Sequence, residues 1–369
     1  VRAALFALAA LSACAAPLPS RPADRLSVAP LEEFVGAIHV HTDLSHDSPG
    51  TTEEVVRGAV AAGLDFVIFT EHARRGVRPG PIAGVREGVL FVPGLELSKD
   101  GGSLLALGVH DALDPKAGTT PELAAQIRAG GGIAAVGHLA EGGPARTLPD
   151  PDAIGLYNLH DDTRDRSAFL MVPALLWSHV FPDRRLRLLP LLDAPEENLR
   201  EWDRRLARGP APMFAENDAH AKLRFGPFFL DPYEDVFRFV RNHVLLPGLT
   251  ERTLLDGLRA GRLFLAFDFL GDATGFRFEA VLPSGGTVGL GGAARFAPGA
   301  RLVVRSPHAA RLRVLRNGER WAQVTGRSMD AGVGEPGVYR VEAALKVGGA
   351  WRPWVYTNAI RLEPREAPP

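Results

Sequence analysis

From Gly36 to about Phe269 the chain alternates short apolar runs with stretches whose apolar positions recur at helical spacing, the pattern of repeated strand and helix units. GAIHVH, LDFVIFTEH, GVLFVPGLEL, GSLLALGVH, GIAAVGH, AIGLYN and PMFAENDAH each predict a buried strand. Between them, TTEEVVRGAVAAG predicts a helix capped by Thr51 or Thr52 and stopped at Gly63, and TPELAAQIRAGG predicts one that opens at Thr120 before Pro121. Residues 161–210 break the rhythm with the charged turn DDTRDR, followed by LREWDRRLARG, a surface helix with a solvated basic face. Past Gly271–Gly275 the period drops to two. FRFEAVL, RLVVRS, RLRVLRNGER, VYRVEAAL and WVYTNAIRL, with Asn317-Gly318 as a hairpin turn, predict a small β-sandwich over residues 275–365.

The length of 369 residues suits a large catalytic domain plus a smaller one. The 42 basic and 43 acidic side chains nearly cancel and form no long run, which excludes a nucleic-acid scaffold and predicts a small-molecule substrate held by a local site. Residues 1–13 are apolar after Arg2 but too short for a membrane span, which needs ~20 residues. They read as a lipoprotein signal peptide, because Leu11-Ser12-Ala13-Cys14 resembles the bacterial lipobox and Cys14 is the single cysteine. The expectation is an exported protein, lipid-anchored through Cys14 to a bacterial membrane on its periplasmic or outer face, with residues 14–33 as a tether rich in Pro and small residues.

Nearly every predicted strand delivers a histidine or carboxylate at its end, where barrel-like α/β folds assemble active sites. His39 and His41 lie two apart on an extended segment, so their side chains should share a face. Asp43, His46 and Asp47 follow. His72 ends LDFVIFTEH, Glu96 lies at the end of VPGLEL, His138 ends GIAAVGH, and Asp218 and His220 end PMFAENDAH. Imidazoles and carboxylates in such a set suit zinc, manganese or iron. Glu71 and Asp65 are candidates to orient the liganding histidines. Arg74 and Arg75, next to His72, are placed to clamp a substrate phosphate. His160, His179, His243 and His308 fall outside the pattern and read as structural, as do Trp321, Trp351 and Trp354.

These residues resemble the PHP (polymerase and histidinol phosphatase) metallohydrolases over residues 34–270. The family's HxH opening, T-x-x-S with an Asp, T-D-H, G-x-E, later His and closing D-x-H match His39/His41, Ser45/Asp47, Thr70-Glu71-His72, Gly94/Glu96, His138 and Asp218/His220. The closing PWVYTNAIRL is similar to the carbamate-hydrolase (CehA/McbA-like) branch. The resemblance implies a distorted (β/α)7 barrel binding two to three divalent ions (Zn, Mn or Fe), with His39, His41, Asp47, His72, Glu96, His138, Asp218 and His220 as ligands and Glu96 bridging a pair. Arg74 and His220 are the residues expected to serve catalysis. The activity implied is phosphoester hydrolysis by a metal-activated water, with carboxylic-ester, amide or carbamate hydrolysis as the alternative and a metal-depleted exported binding protein as a further one. Glu71 stands where Asp is usual, Ser103 falls where many relatives put a histidine for the second metal, and His46 competes with Asp47 as a ligand.

Overall fold

The computed structural model describes residues 31–364 apart from 75, 160–188, 190–191 and 226–227. The stretch expected to be a signal peptide, Cys14, most of the expected tether, Arg75, His160 and His179 lie outside the described residues. The architecture is mixed α/β. Its strands are β1 Glu32–Val40, β2 Phe66–Phe69, β3 Glu71–His72, β4 Gly84–Arg86, β5 Val89–Val92, β6 Gly94–Lys99, β7 Gly102–Leu107, β8 Ile133–Gly137, β9 Ala153–Asn158, β10 Met213–Glu216, β11 Arg224–Phe225, β12 Phe228–Phe229, β13 Arg241–Leu246 and β14 Leu263–Ala266. A strand-rich C-terminal region adds β15 Arg277–Val281, β16 Thr287–Val288, β17 Ala293–Arg295, β18 Arg301–Arg316, β19 Glu319–Gly332, β20 Gly337–Val347, β21 Ala350–Thr357 and β22 Ile360–Glu363. The helices are α1 Thr52–Ala62, α2 Thr120–Ala129, α3 Pro144–Thr147, α4 Glu196–Leu206, α5 Tyr233–Phe239 and α6 Glu251–Arg259.

Local chemistry sets the element ends. Thr51 caps α1 by a reciprocal pair of bonds: its hydroxyl accepts from the Glu54 N–H, and the Glu54 carboxylate accepts from the Thr51 N–H. Gly63 ends the helix at φ +69, the left-handed conformation that favours glycine. The cap of α2 is Thr119, one residue before the predicted Thr120. Asn317 and Gly318, at φ +52 and +83, make the predicted hairpin turn between β18 and β19. On α4, Leu199, Trp202 and Leu206 are buried and Arg200 and Arg204 are exposed, as predicted, whereas Arg205 is largely covered and pairs with Glu201.

Among the described residues no sheet closes on itself. One large sheet runs β16-β15-β18-β20-β21-β14-β13-β1-β2-β5-β4, and a second of six strands runs β10-β9-β8-β7-β6-β3. The expected single barrel is divided because two of its strands change sheet part-way. Thr70 separates β2 from β3, and Pro93, which has no N–H to give to a ladder, separates β5 from β6. Gly94 follows because a Cβ there would lie 2.4 Å from the Phe69 carbonyl and 2.7 Å from that of Ala106. Both margins of the second sheet return to the end of β1. The Thr70 N–H bonds the Val40 carbonyl beside β3, while beyond β10 the Asn217 and Ala219 N–H groups bond the carbonyls of Ile38 and His39.

Two asparagine amides cover the outer edge of β10, and a third, just past it, ties β1 to the residue before β13. Asn358 accepts from the Met213 N–H and donates to the Met213 carbonyl, both at 2.9 Å. Asn242 does the same for Ala215 at 2.8 Å, and Asn217 accepts from the Ile38 N–H while donating to the Val240 carbonyl. Asn358 and Asn242 stand in for a missing strand partner at Met213 and Ala215. Asn358 belongs to PWVYTNAIRL, and β21 pairs with β14, so the C-terminal strands continue the main sheet.

Candidate metal centre

The site is built on one parallel bridge, Val40 with Ala219. The residues flanking it, His39 and His41 on one segment and Asp218 and His220 on the other, converge: His39 Nε2 and His41 Nε2 each lie 3.5 Å from Asp218 Oδ1, and the His41 and His220 rings stack at 4.2 Å. Strand alternation alone does not produce this. His39 has φ +74 and breaks the ladder of β1 with β2, and Asp218 and His138 have φ +46 and +47. Such conformations cost about 1–3 kcal/mol each and persist where the surroundings enforce them.

A second parallel pair sets His72 beside Glu96. Glu96 Oε2 then lies 3.2 Å from His39 Nε2, 3.3 Å from His41 Nε2 and 3.3 Å from His72 Nδ1. Its other oxygen accepts from the Ser103 hydroxyl and lies 3.5 Å from His138 Nε2. Asp47 joins the remaining histidines, 3.3 Å from His72 Nε2 and 3.1 Å from His220 Nε2. All eight residues expected as ligands therefore meet. His46 stays exposed, its ring 4.9 Å from that of His72, while Asp47 reaches inward.

The outward nitrogens are tied to protein acceptors. His39 Nδ1 lies 2.7 Å from Glu216 Oε2, His41 Nδ1 3.1 Å from Ser45 Oγ and His220 Nδ1 2.9 Å from the Asp218 carbonyl. Their Nε2 atoms face the carboxylates, the orientation in which imidazoles bind metals. His41 Nε2 is buried and has no hydrogen-bond partner, a cost of about 1–3 kcal/mol unless something else occupies its lone pair. A divalent cation fits that requirement and the nitrogen and oxygen donor set.

The electrostatics agree. Burial opposes charge on His39, but the carboxylates of Asp218 and Glu96 and the bond to Glu216 outweigh it and hold the imidazole at about 10. Burial likewise opposes ionisation of Glu96 and Asp218, yet the His39 charge, followed by the other histidines close around them, keeps both well below the usual carboxylate range. For Asp47 the same contest is decided by the bonds from His220 and His72, which lower it. The cluster is a concentrated negative field that protons or cations must balance.

Several expected roles change. Glu71 touches no histidine; it accepts from the Thr42 N–H and hydroxyl and from the Ser45 hydroxyl at 2.6 Å, fixing the loop whose Ser45 then meets His41. Asp65 is remote and accepts from the Val35 N–H at the start of the strand pair. Arg74 is exposed on the rim and donates to the Leu44 carbonyl. Residues not foreseen are Glu216, Tyr233 and Ser48, which hold the carbonyls of His41 and His220, and Lys222, 3.7 Å from Asp47 Oδ2. Lys222 follows His220 by two positions and was the most accessible to sequence reasoning.

No family model matches the sequence, and no curated protein matches it. Among solved structures, a two-domain protein from Bacteroides vulgatus containing a predicted PHP-like metal-dependent phosphoesterase aligns with 92% of this chain and 99% of its own, at 12% identity and a TM-score of 0.43. The chemistry of the centre rests on the side chains themselves.

Proposed function

We propose that this chain is a PHP-type metal-dependent hydrolase, a phosphoesterase acting on a small phosphate ester or nucleotide. The observation that carries the reading is the convergence of five histidines and three carboxylates with inward-facing, partly unsatisfied nitrogens. The strand order supports a distorted (β/α)7 barrel: β1, β2 with β3, β5 with β6, β7, β8, β9 and β10 supply seven staves, and the Val40–Ala219 bridge links the last to the first. A C-terminal β-sandwich over 275–365, residues 34–270 as the catalytic domain and lipid anchoring through Cys14 belong to the same proposal.

His39, His41, Glu96 and Asp218 would hold one ion, and His72, His220 and Asp47 another, with Glu96 Oε2 facing both groups. Divalent ions there supply Lewis-acid polarisation and a water acidic enough to act as a nucleophile near neutral pH. The protein's own part is to aim and neutralise. His220 Nδ1 lies 2.9 Å from the Asp218 carbonyl and Nε2 3.1 Å from Asp47 Oδ2, which suits it to the ligand cage, and its part in catalysis belongs to the same proposal. Lys222, partly exposed beside Asp47, offers a positive charge to an anionic substrate, with Arg74 further out on the rim. That pair of cations favours a phosphate.

A place in the carbamate-hydrolase branch rests on the resemblance of PWVYTNAIRL alone and belongs to the same proposal, and with it the second reading, hydrolysis of a carboxylic ester, amide or carbamate. A panel of aryl phosphates and aryl esters assayed with Mn or Zn decides between them. Phosphate turnover at least tenfold above ester turnover supports the first reading; the reverse supports the second. A protein that stays inactive on both with metal bound contradicts each and leaves a binding role.

A further inference from the structure

The least expected charge in the centre is Glu216. It is fully buried at the end of β10 and interacts with two of the candidate ligands at once. Oε2 lies 2.7 Å from His39 Nδ1, and Oε1 accepts from the His138 N–H at 3.1 Å. His39 and His138 are also two of the three residues held at positive φ in the site. The chain makes room for this carboxylate: a Cβ on Gly155 would lie 1.8 Å from Glu216 Oε1, and one on Gly137 would lie 3.0 Å from Oε2. A side chain at position 155 would collide with the carboxylate, and one at position 137 would press tightly against it.

We infer that Glu216 is the positioning residue of the centre, setting the ring of His39 through its side chain and the turn of His138 through its backbone, so that one buried carboxylate fixes two ligands contributed by different strands. Both of its oxygens act as acceptors, and only a carboxylate can do that. A glutamine in the same slot accepts at one end and presents an N–H2 to the other donor, so it serves His39 or His138 but not both. This inference rests on the metal-centre reading above; within that reading it adds a residue that touches neither substrate nor solvent.

The test is metal binding by the full chain with Glu216→Gln, and with Gly155→Ala as an independent way to displace an intact Glu216. Co(II) titration against a competing chelator gives affinity, stoichiometry and the visible ligand-field bands, and thermal melting of the metal-free forms reports the fold. Glu216→Gln is expected to bind the same number of ions about 10–100-fold more weakly, the range typical of lost outer partners, with displaced Co(II) bands. Gly155→Ala should reproduce the weakening and the band shift. Unchanged affinity and bands in Glu216→Gln overturn the inference, as does a weaker affinity with unshifted bands, which marks a merely structural role. Loss of one ion per chain also overturns it, because Glu216 would then be a ligand. If the unaltered chain binds no Co(II), the metal-centre reading itself fails, a result distinct from all of these.

Discussion

Two buried clusters in this molecule use the same residue types and come to opposite ends. Near the start of β1, His243 lies between Glu33 Oε1 at 2.8 Å and Asp268 Oδ2 at 3.1 Å, while Arg277 and Arg241 pair with the same two carboxylates. Three cations meet two anions, and both His243 nitrogens have partners. At the far end of β1, Glu96, Asp218, Asp47 and Glu216 gather around five histidines with Lys222 as the nearby fixed cation, and His41 Nε2 is left without a hydrogen bond. The first cluster is closed by its arginines and joins strands. The second is closed only by what it binds. Buried histidine and carboxylate therefore do not mark a functional site by themselves; the balance of charge and the direction of the lone pairs do.

The sharpest separation comes from removing the shared carboxylate. Glu96→Gln should lower activity roughly 10³-fold, above the ~10–100-fold that outer partners cost, with metal content reduced and the melting temperature of the metal-free protein little changed. His243→Leu should do the reverse, lowering stability by about 3–5 kcal/mol, as expected when one member of a buried ion network is removed, while metal stoichiometry per folded chain stays the same. If His243→Leu strips metal, or Glu96→Gln unfolds the protein, the two clusters are not the separate systems described here.

pH divides them next. His243 is held at about 9: burial lowers it, but the charges of Asp268 and Glu33 more than compensate. Because its folded value lies above the ordinary 6.5, its contribution to stability is fully present below pH 6.5 and is lost as pH rises through about 9. Chemical denaturation of the metal-free protein should show stability declining across that interval. Metal uptake should run the other way. His39, held at about 10 without a cation, must release a proton to bind one, so apparent metal affinity rises with pH.

Smaller effects test the scaffold. Asn358→Ala removes two bonds to Met213 and one to Leu263 and should cost roughly 2–4 kcal/mol, as for a few buried hydrogen bonds left unmade. Urea titration measures it. His46→Ala should change metal affinity less than about threefold because its ring is exposed, whereas Asp47→Ala removes the contact common to His72 and His220 and should weaken binding more than about tenfold. Equal effects of the two would return His46 to the ligand set.

Much of the site was legible because histidines and carboxylates at the ends of apolar runs leave few other readings, and their spacing survives any modest error in strand boundaries. Helix ends were legible where a local bond defines them, as at Thr51 and Gly63. What sequence could not supply were pairings between distant segments. The Val40–Ala219 bridge, the asparagine edge of β10 and the junction of β14 with β21 depend on residues up to 179 positions apart. Glu216 was missed for the same reason: inside PMFAENDAH it looks like one more strand residue, and only the glycines at 137 and 155 on other strands show the slot it fills. Glu71 and Asp65 were assigned to histidines because charge and proximity in sequence suggested it, whereas backbone N–H groups of the neighbouring segments claimed them.

If the cluster at the end of β1 is a metal centre, ions must occupy it. Anomalous diffraction from crystals of the chain reconstituted with Mn or Zn tests it directly. At least two peaks are expected, one within about 2.0–2.3 Å of the His39 and His41 Nε2 atoms and another between His72, His220 and Asp47. Less than one ion per chain after reconstitution, or ions bound away from Glu96 and Asp218, would contradict it.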